Sequence, residues 1–317
     1  MMRAARTRQS GIAAITAVLI VAVAASAAAV MLAQQSATLD QARLIASRAQ
    51  ADQYALAGLD WARGVLLQDL QSAGSVDSLD EGWAQPIVGL PVERAMVAGA
   101  IADEQGKFNL NNLVNAAGQK SDADFLVFQR LLASLGVSPE LAQAVLDWID
   151  ADDELSGNAG AEDAYYLGLP RPYRAANAPM AQVEELYRVR GFDAATIAKL
   201  KPYVTALDRG TLVNVNTAPA PVLAAVLGDK VGADQVARLV ARRKAQALRT
   251  TSEVATIVGA DVGPALQMLD VKSGFYSVLV QVNQDDVQLS IEALVKRTAA
   301  ATGGTPGAWV VWRRTRT

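Results

Sequence analysis

A long apolar segment near the N-terminus predicts a helix that spans a membrane. Residues Ile12 to Ala33 are nearly all Ala, Val, Ile and Leu, and no charged residue occurs from Gln9 to Leu39. As an α-helix, such a run of 22 residues extends about 33 Å, which is enough to cross the hydrocarbon core of a bilayer. Basic residues precede the run and no acid does, so the short N-terminal stub is predicted to stay in the cytoplasm. These residues are Arg3, Arg6 and Arg8.

Beyond this segment the apolar positions keep the spacing of a helix. No proline occurs from Gln34 to about Gln71, and apolar side chains recur every three or four residues. The apolar positions are Leu39, Ala42, Ile45, Ala49, Leu56, Leu59, Val65, Leu66 and Leu70. The pattern predicts one continuous helix that runs from the membrane into the rest of the chain.

Two interpretations of the apolar segment are open. A secretory signal peptide would be cut at the small-residue site Ala25-Ser26-Ala27 and would release a soluble protein. A cut after Gly11 would instead retain the segment as the first turns of the long helix. The helical continuation favours the second interpretation, because a signal peptide needs no such continuation, although a helix of the released protein could also supply it.

Period-two apolar patterns at two places predict strands. Runs rich in β-branched and aromatic residues at Phe275 to Val282, Val287 to Lys296 and Trp309 to Arg313 predict three strands. Earlier, residues 92–102 and 107–113 flank the turn-like Asp103-Glu104-Gln105-Gly106 and predict a hairpin. Residues 121–271 between these places are rich in Ala and Leu and predict helices. The fold class is therefore α+β, with a long helix on an antiparallel sheet that a large helical insert interrupts.

The insert contains an internal echo. The sequence Asn109-Leu110-Asn111 returns 105 residues later as Asn214-Val215-Asn216, and each copy precedes a helical stretch. Asparagine side chains cap helices and close turns. The second copy resembles the entry of helix-hairpin-helix and SAM-like modules, which often contact the DNA backbone. A basic stretch follows the second copy and is either a solvated helix face or a DNA contact. Its residues are Arg238, Arg242, Arg243, Lys244 and Arg249. We favour the solvated face because the glycines expected in the hairpins are degenerate and the chain leads out of the cytoplasm.

Composition excludes several classes of site. The chain has no Cys and no His, which excludes disulfides, zinc-thiolate sites and Ser-His-Asp triads. Its 29 basic and 32 acidic residues give a formal charge of −3, so no basic excess indicates nucleic acid as a partner. Gly106-Lys107 is followed by Phe108, so it is not a phosphate-binding loop. We therefore predict a protein that is not an enzyme.

One charge anomaly remains, between Asp147 and Asp163. This 17-residue segment holds seven acids, and no Lys or Arg occurs from Leu131 to Pro170. Repulsion among these carboxylates calls for a cation, and Ca²⁺ accepts six to eight oxygens from flexible loops. The segment is not an EF-hand, because the sixth position from Asp150 is Leu155 and the twelfth is Ala161. A solvated loop without an ion and a catalytic carboxylate pair are the alternatives.

The N-terminus carries a specific resemblance. Arg8-Gln9-Ser10-Gly11 followed by Ile12-Ala13-Ala14-Ile15-Thr16 resembles the type IV prepilin leader, which prepilin peptidase cuts after the glycine before the new N-terminus is methylated. Most members of that superfamily have Glu where this chain has Thr16. The missing carboxylate is typical of the type II secretion minor pseudopilin K family. The stretch from Asp147 through Tyr165-Tyr166 to Met180 also resembles the most characteristic part of that family.

The resemblance implies a domain plan and a set of partners. The leader would be 1–11, with cleavage between Gly11 and Ile12, and the membrane-spanning part of the helix 12–34. Residues 35–113 and 274–317 would form the pilin-like domain, and 114–273 the insert. The protein would sit in the inner membrane with its body in the periplasm, at the tip of the pseudopilus. There it would initiate assembly and cap the fibre with the I, J and H pseudopilins as partners and without nucleic acid.

The resemblance also implies structural Ca²⁺ in the insert. The ligands it implies are Asp150, Asp152, Asp153, Glu162 and Asp163, with Asn158 and Asn177 as additional candidates. The alternative function is a membrane-anchored helix-hairpin-helix protein of DNA uptake, which would bind duplex DNA with a steep salt dependence. A secreted carboxylate hydrolase, beginning near Ala28, is a further alternative.

Overall fold

In a computed structural model of the chain, residues 9–72, 76–299 and 305–316 are described. Helix α1 (Gln9–Ser72) is 64 residues long, and among the described residues it is the one helix long and apolar enough to cross a membrane. Its residues 11–46 are exposed, and its second half packs on the rest of the molecule. The predicted continuous helix is confirmed. The first eight residues of the predicted leader lie outside the described residues.

A five-stranded antiparallel sheet lies against α1. Its strands are β1 (Ile87–Val92), β2 (Ala95–Asp103), β7 (Phe275–Gln284), β8 (Val287–Thr298) and β9 (Gly307–Arg316), and they lie side by side in that order. The last three contain the three predicted C-terminal strands. Because β2 pairs directly with β7, the chain leaves the sheet after β2 and returns to it after the insert. The predicted interrupted sheet is confirmed.

The predicted hairpin around 103–106 is wrong. Strand β2 pairs instead with the preceding strand β1, and the hairpin turn lies at Glu93 and Arg94. Residues 104–106 form a 3-10 turn in which the Asp103 carboxylate accepts a hydrogen bond from the Gln105 N–H. The sequence pattern does not predict β1, because it contains Gly89 and Pro91 and both residues are unfavourable inside a strand.

Alternation along the strands gives the sheet one face for α1. Buried residues of β7 and β8 on this face contact the helix, which approaches through small side chains. Gly58 lies against Val280, where an added Cβ would overlap the valine side chain. The helix residues of this core are Ala51, Ala55, Leu59, Ala62 and Leu66, and the strand residues include Val278, Val280, Val282, Leu289 and Ile291.

The insert has a hydrophobic core of its own, which extends from Phe108 to Val271. It contains the helices α2 (Asp122–Ser134), α3 (Leu141–Ile149), α4 (Asp163–Leu167), α5 (Ala194–Leu200), α6 (Ala220–Leu227), α7 (Ala233–Ala245), α8 (Ser252–Val258) and α9 (Gly263–Leu266). Two parallel ladders of two residues each close it, β3 (Phe108–Asn109) with β4 (Val204–Thr205) and β5 (Val213–Asn214) with β6 (Leu269–Asp270). Its core thus begins earlier than the predicted boundary at 114.

The two Asn-x-Asn sequences explain this early start. Asn109 accepts hydrogen bonds from the N–H groups of Asn111 and Leu207, and Asn111 bonds both to Leu207 and to Met180. In the second copy, Asn214 accepts from the Asn216 N–H in the same way. Asn214 also donates to the Asp77 carbonyl, and Asn216 bonds to the backbone of Leu248. Each sequence therefore connects its ladder to distant backbone, which is more than the caps and turns that were expected.

Candidate metal centre

The segment from Asp147 to Asp163, here called the acidic loop, is held at both ends by the insert core. Its first end follows α3, whose residues Trp148 and Ile149 are buried. Its second end leads into α4, where the ring of Tyr166 lies 5.2 Å from that of Trp148 and 5.3 Å from that of Tyr173. Between these ends, residues 151–156 are exposed. The core therefore fixes the ends of the loop and leaves its middle free to adjust.

Several oxygens at the fixed ends, and one of Asn177 beside the loop, are buried without a hydrogen-bond partner among the described residues. These are Oδ1 of Asp150, both carboxylate oxygens of Glu162, Oδ2 of Asp147 and Oδ1 of Asn177. Asp150 is 7% exposed and Glu162 4%. A buried oxygen without a partner costs about 1 to 3 kcal/mol, and more if it is charged. All of them are hard donors of the kind that Ca²⁺ prefers.

The electrostatics of the loop show the same deficit. Burial, followed by the charges of Asp152 and Asp147, raises the pKa of Asp150 to about 7. Burial, followed by the charges of Asp147, Asp150 and other carboxylates of the loop, raises the pKa of Glu162 to about 8. Both shifts show that burial and the neighbouring carboxylates favour the neutral form of these two groups.

Asp147 is a candidate ligand that the sequence analysis did not select. It is fully buried, and its Oδ1 accepts a hydrogen bond of 3.0 Å from the Ser156 N–H. Its unpartnered Oδ2 faces Gly160, where any side chain would overlap it. Its position on α3 hid this role, because a helix position predicts packing or solvent rather than a site.

The other predicted ligands divide into two groups. Asn177, with a positive φ of 43°, donates to the Asp152 carbonyl at 3.2 Å and to the Asp153 carboxylate at 3.4 Å, which leaves its own Oδ1 free. The structure thus brings these three residues together. Asp163 instead accepts a hydrogen bond from the Ala175 N–H and lies 3.4 Å from the Arg174 guanidinium. Asn158 is exposed.

No three carboxylates of the acidic loop bring their oxygens within 4.8 Å of one another among the described residues. Among the described residues, the one set of three carboxylates with an oxygen each within 4.8 Å of the others is Asp69, Asp77 and Glu81, outside the insert. The Arg297 guanidinium already contacts the first two of these. Binding of one ion by three acids of the loop would therefore require its exposed middle to close inward. The donor types and their unmet hydrogen bonds fit Ca²⁺.

The residues at the predicted cleavage site lie on the exposed first half of α1. Gly11 is helical with no neighbouring atom near its missing side chain, and Ile12 is exposed. Thr16 donates its hydroxyl to the carbonyls of Ile12 and Ala13, at 3.1 and 3.0 Å. Its side chain is thus satisfied within its own helix.

Comparisons with known proteins cover both the insert and the whole chain. The family described as Type II secretion system (T2SS), protein K matches residues 106–209 and 213–272. Type II secretion system protein K of Aeromonas hydrophila is 32% identical over 314 residues, which is 92% of this chain and 93% of the relative. The protein of the same name from Pseudomonas aeruginosa is 40% identical over 232 residues, which is 70% of this chain and 69% of the relative.

A solved structure has the same fold. It is the crystal structure of the GspK-GspI-GspJ complex from the type 2 secretion system of enterotoxigenic Escherichia coli. The matched chain is similar with a TM-score of 0.75 at 24% identity, and the match covers 87% of this chain and 99% of that one. The interrupted α+β architecture therefore occurs in a protein of known structure.

Proposed function

We propose a role for this chain from one premise: it belongs to the type II secretion system protein K family. The premise confirms the resemblance stated from the sequence. On it, the chain is a minor pseudopilin, a structural subunit without enzymatic activity. Its apolar helix anchors it in the inner membrane, and its body lies in the periplasm.

The proposed position at the fibre tip is supported by the place at which the insert joins the sheet. Residues 104–274 lie between two neighbouring strands of a sheet that rests on the membrane-anchored helix. An insert of this size, with its own core, leaves no space for another subunit above it. Assembly would therefore begin at this chain and proceed beneath it, with the chain as a cap.

The N-terminal residues support the same position. In related subunits a carboxylate at the position of Thr16 would pair with a neighbour's N-terminal amine, because an unpaired charge in a bilayer is costly. The hydroxyl of Thr16 is satisfied within its own helix and makes no such demand. Prepilin peptidase would cut between Gly11 and Ile12, and the new N-terminus would be methylated.

Structural Ca²⁺ would complete the insert. Asp150, Glu162, Asp147 and Asn177 supply the buried oxygens, with Asp152 and Asp153 in reach of them. When bound, the ion would supply positive charge directly to Asp147, Asp150 and Glu162, whose unpartnered oxygens are buried among the described residues. The residues of this chain would then hold α3, α4 and the loop of Asn177 in one arrangement.

The partners proposed for the chain are the I, J and H pseudopilins of its own secretion system. Support comes from the solved relative, whose structure is of a GspK-GspI-GspJ complex. In the alternative of DNA uptake, Arg243 would not be free to contact a phosphate, because it is buried and donates to the Val215 carbonyl.

The test is to purify the full chain from membranes together with its I, J and H subunits. We expect them to co-purify, the mature chain to begin at Ile12, and Gly11→Val to block both processing and assembly. Gly64→Ala is a matched control, because neither glycine has an atom within 4 Å of an added Cβ. A mature chain that begins near Ala28, or one that binds duplex DNA instead of these subunits, would contradict the proposal.

A further inference from the structure

Two arginines from outside the acidic loop contact its main chain. Arg209 donates from Nη2 to the Ile149 carbonyl at 3.2 Å. Arg190 donates from Nη1 to the Gly160 carbonyl at 2.7 Å. Each guanidinium therefore contacts one end of the acidic loop, from a part of the insert that lies later in the chain.

Arg209 is held in place by the first Asn-x-Asn sequence and the asparagine that follows it. Asn109 donates to the carbonyl of Asp208, the residue before Arg209, at 2.8 Å. Asn112 accepts a hydrogen bond of 2.9 Å from the N–H of Gly210, the residue after it. The carbonyl that Arg209 contacts is at the C-terminal end of α3, where the last carbonyls have no partner within the helix and a positive charge is favourable.

Arg190 is fixed on the other side of the loop. Its guanidinium lies 4.9 Å from the centroid of the Tyr165 ring, and its N–H donates to the Tyr166 hydroxyl at 3.3 Å. Gly191 follows with a positive φ of 84° and lies against Leu141 of α3, where an added Cβ would overlap the leucine side chain. The main chain at Arg190 is therefore in contact with α3 and α4, the helices at the two ends of the loop.

The two guanidinium groups leave the carboxylates of the loop free. Their hydrogen bonds within the described part of the chain go to main-chain carbonyls. Ile149 directly precedes Asp150, and Gly160 lies two residues before Glu162. Asp150 and Glu162 nevertheless keep buried oxygens without a partner among the described residues. The arginines thus fix the main chain beside these acids without occupying the oxygens that a cation would use.

We propose that Arg190 and Arg209 are positioning residues of the Ca²⁺ site, each of which holds a main-chain carbonyl so that the buried carboxylates beside it stay available to the ion. This inference rests on the proposed function, in which the insert holds structural Ca²⁺. Neither arginine is a ligand. Replacing residues that orient the ligands of a metal typically lowers its affinity about 10- to 100-fold.

The charge of the two arginines has the opposite consequence. A guanidinium beside a cation site repels the cation, so an arginine that acted through its charge alone would weaken Ca²⁺ binding, and its removal would strengthen it. Removal of a positioning arginine weakens binding instead, because a main chain that is no longer fixed must be ordered when the ion binds. The sign of the change in Ca²⁺ affinity therefore distinguishes the two roles.

The test measures the Ca²⁺ affinity of the full chain in detergent by isothermal titration calorimetry, after metal has been removed with a chelator. Arg209→Met and Arg190→Met remove the donors and keep apolar stems, and each should weaken Ca²⁺ binding at least about tenfold. Arg188→Met is the matched control, because Arg188 is exposed and its carbonyl, rather than its side chain, is bonded to the Tyr173 hydroxyl. It removes the same charge and should not weaken binding.

A conservative variant and the stability of the apo chain separate positioning from a general loss of structure. Arg209→Lys keeps a charge and a donor, so it should recover most of the affinity that Arg209→Met loses. In chelator, the thermal midpoints of both Met variants should stay close to that of the wild type, because Arg190 and Arg209 are only half-buried. A merely structural role would lower these midpoints and leave the affinity for Ca²⁺ unchanged.

A second measurement uses the wild-type chain and so needs no variant to fold. Hydrogen exchange is followed in chelator and in Ca²⁺. The amides of Asp150 and Gly160, bonded to the carbonyls of Leu146 and Gly157, should differ less than about threefold in exchange rate between the two conditions, whereas amides of the exposed residues 151–156 should slow at least about tenfold in Ca²⁺. Equal loss of protection at the ends and in the middle would show that the ion alone fixes the ends, and would overturn the inference.

The outcomes separate the inference from the proposed function. A wild-type chain that does not bind Ca²⁺ would overturn the proposed ion and the inference with it, whereas co-purification with the I, J and H subunits tests the pseudopilin role independently. Ca²⁺ binding by the wild type, with equal or higher affinity in both Arg190→Met and Arg209→Met, would overturn the inference alone.

Discussion

Two groups of carboxylates in this molecule, each with buried members, differ in how their charge is compensated. The junction cluster consists of Asp69, Asp77, Glu81 and Asp103, where α1, the sheet and the insert meet. The acidic loop contains Asp147, Asp150, Asp152, Asp153 and Glu162. The first group has a guanidinium within it, because Arg297 contacts Asp69 at 2.7 Å and also contacts Asp77. The second has no Lys or Arg in its sequence window.

The rest of the hydrogen bonding follows this difference. In the junction cluster, Asp103 accepts from Ser273, Thr217, Asn214 and the Gln105 N–H. In the loop, buried oxygens of Asp150 and Glu162 have no partner among the described residues. The comparison teaches that acids grouped in space indicate a cation site only where the chain has not supplied its own cation.

The largest expected loss of stability comes from removing the Arg297 guanidinium from the junction cluster. Arg297→Met would leave Asp69 and Asp77 buried without their partner, and breaking such a pair costs about 3 to 5 kcal/mol. Urea unfolding of the full chain in detergent would measure the loss. Added Ca²⁺ should not restore it. Arg316→Met is the control, because this arginine is exposed in its pair with Glu292 and should cost less than about 1 kcal/mol.

Equal losses for the two arginine variants would show that Arg297 does not compensate the cluster. Full rescue of Arg297→Met by Ca²⁺ would show instead that the junction cluster is itself a metal site. Either result would remove the contrast between the two groups.

The next largest loss of stability is expected when the proposed Ca²⁺ is removed from the acidic loop. A ligand that binds only the folded chain, at 100 times its dissociation constant, stabilises it by about 2.7 kcal/mol. Chelation should therefore lower the thermal midpoint, and Ca²⁺ should restore it by an amount that rises with free ion. Arg297→Met should show the same shift, because its defect lies elsewhere. A midpoint that is independent of Ca²⁺ would contradict a bound ion.

The sequence predicted the helix, the three C-terminal strands and the interrupted sheet because each depends on a local pattern. Apolar residues at helical or alternating spacing determine which face is buried wherever the partner face lies. Strand β1 was missed because Gly89 and Pro91 break its pattern. The insert boundary was placed too late because the contacts of Asn109 and Asn111 are with residues about 70 and 100 positions away.

The acidic loop was predictable as a segment but not as a list of ligands. The spacing of acids located the anomaly, and the fold determined which oxygens are buried. Asp147 was passed over on its helix, and Asp163 was selected although it is bonded to Ala175 and Arg174. Arg297 lies more than 200 residues after Asp77, so no sequence pattern could reveal that the junction cluster is compensated.

Asp103 of the junction cluster should make the free energy of unfolding depend on pH. Burial raises the pKa of Asp103 to about 6, although its hydrogen bonds oppose the shift. The folded chain therefore holds this proton more tightly than the unfolded chain does, and stability falls as pH rises from about 4 to 6. Asp103→Asn removes this slope, so the variant should gain about 2 kcal/mol on the wild type across that window.

Glu184 provides a control of opposite sign. Burial opposes ionisation there, but hydrogen bonds from Lys201 and Arg314 lower the pKa to about 2. The stability that Glu184 contributes is therefore present above about pH 4.5 and is lost as pH falls toward 2. Glu184→Gln should differ from the wild type by a constant amount between pH 5 and 6. A flat difference for Asp103→Asn over pH 4 to 6 would contradict the raised pKa.

The smallest expected change in stability comes from replacing Glu162, a buried carboxylate of the acidic loop, and an exposed carboxylate of the same loop is its control. Glu162 is 4% exposed with neither oxygen bonded, whereas Glu154 is exposed. In chelator at pH 7.5, Glu162→Gln should stabilise the full chain by about 1 kcal/mol or more, because a carboxyl whose pKa is raised to about 8 takes up a proton on folding at this pH and the amide does not. The same variant should lose most of the Ca²⁺-dependent shift, whereas Glu154→Gln should retain it and leave stability unchanged in chelator. Destabilisation of Glu162→Gln in chelator would show that its carboxylate already has a partner within the chain, and the loop would then resemble the junction cluster.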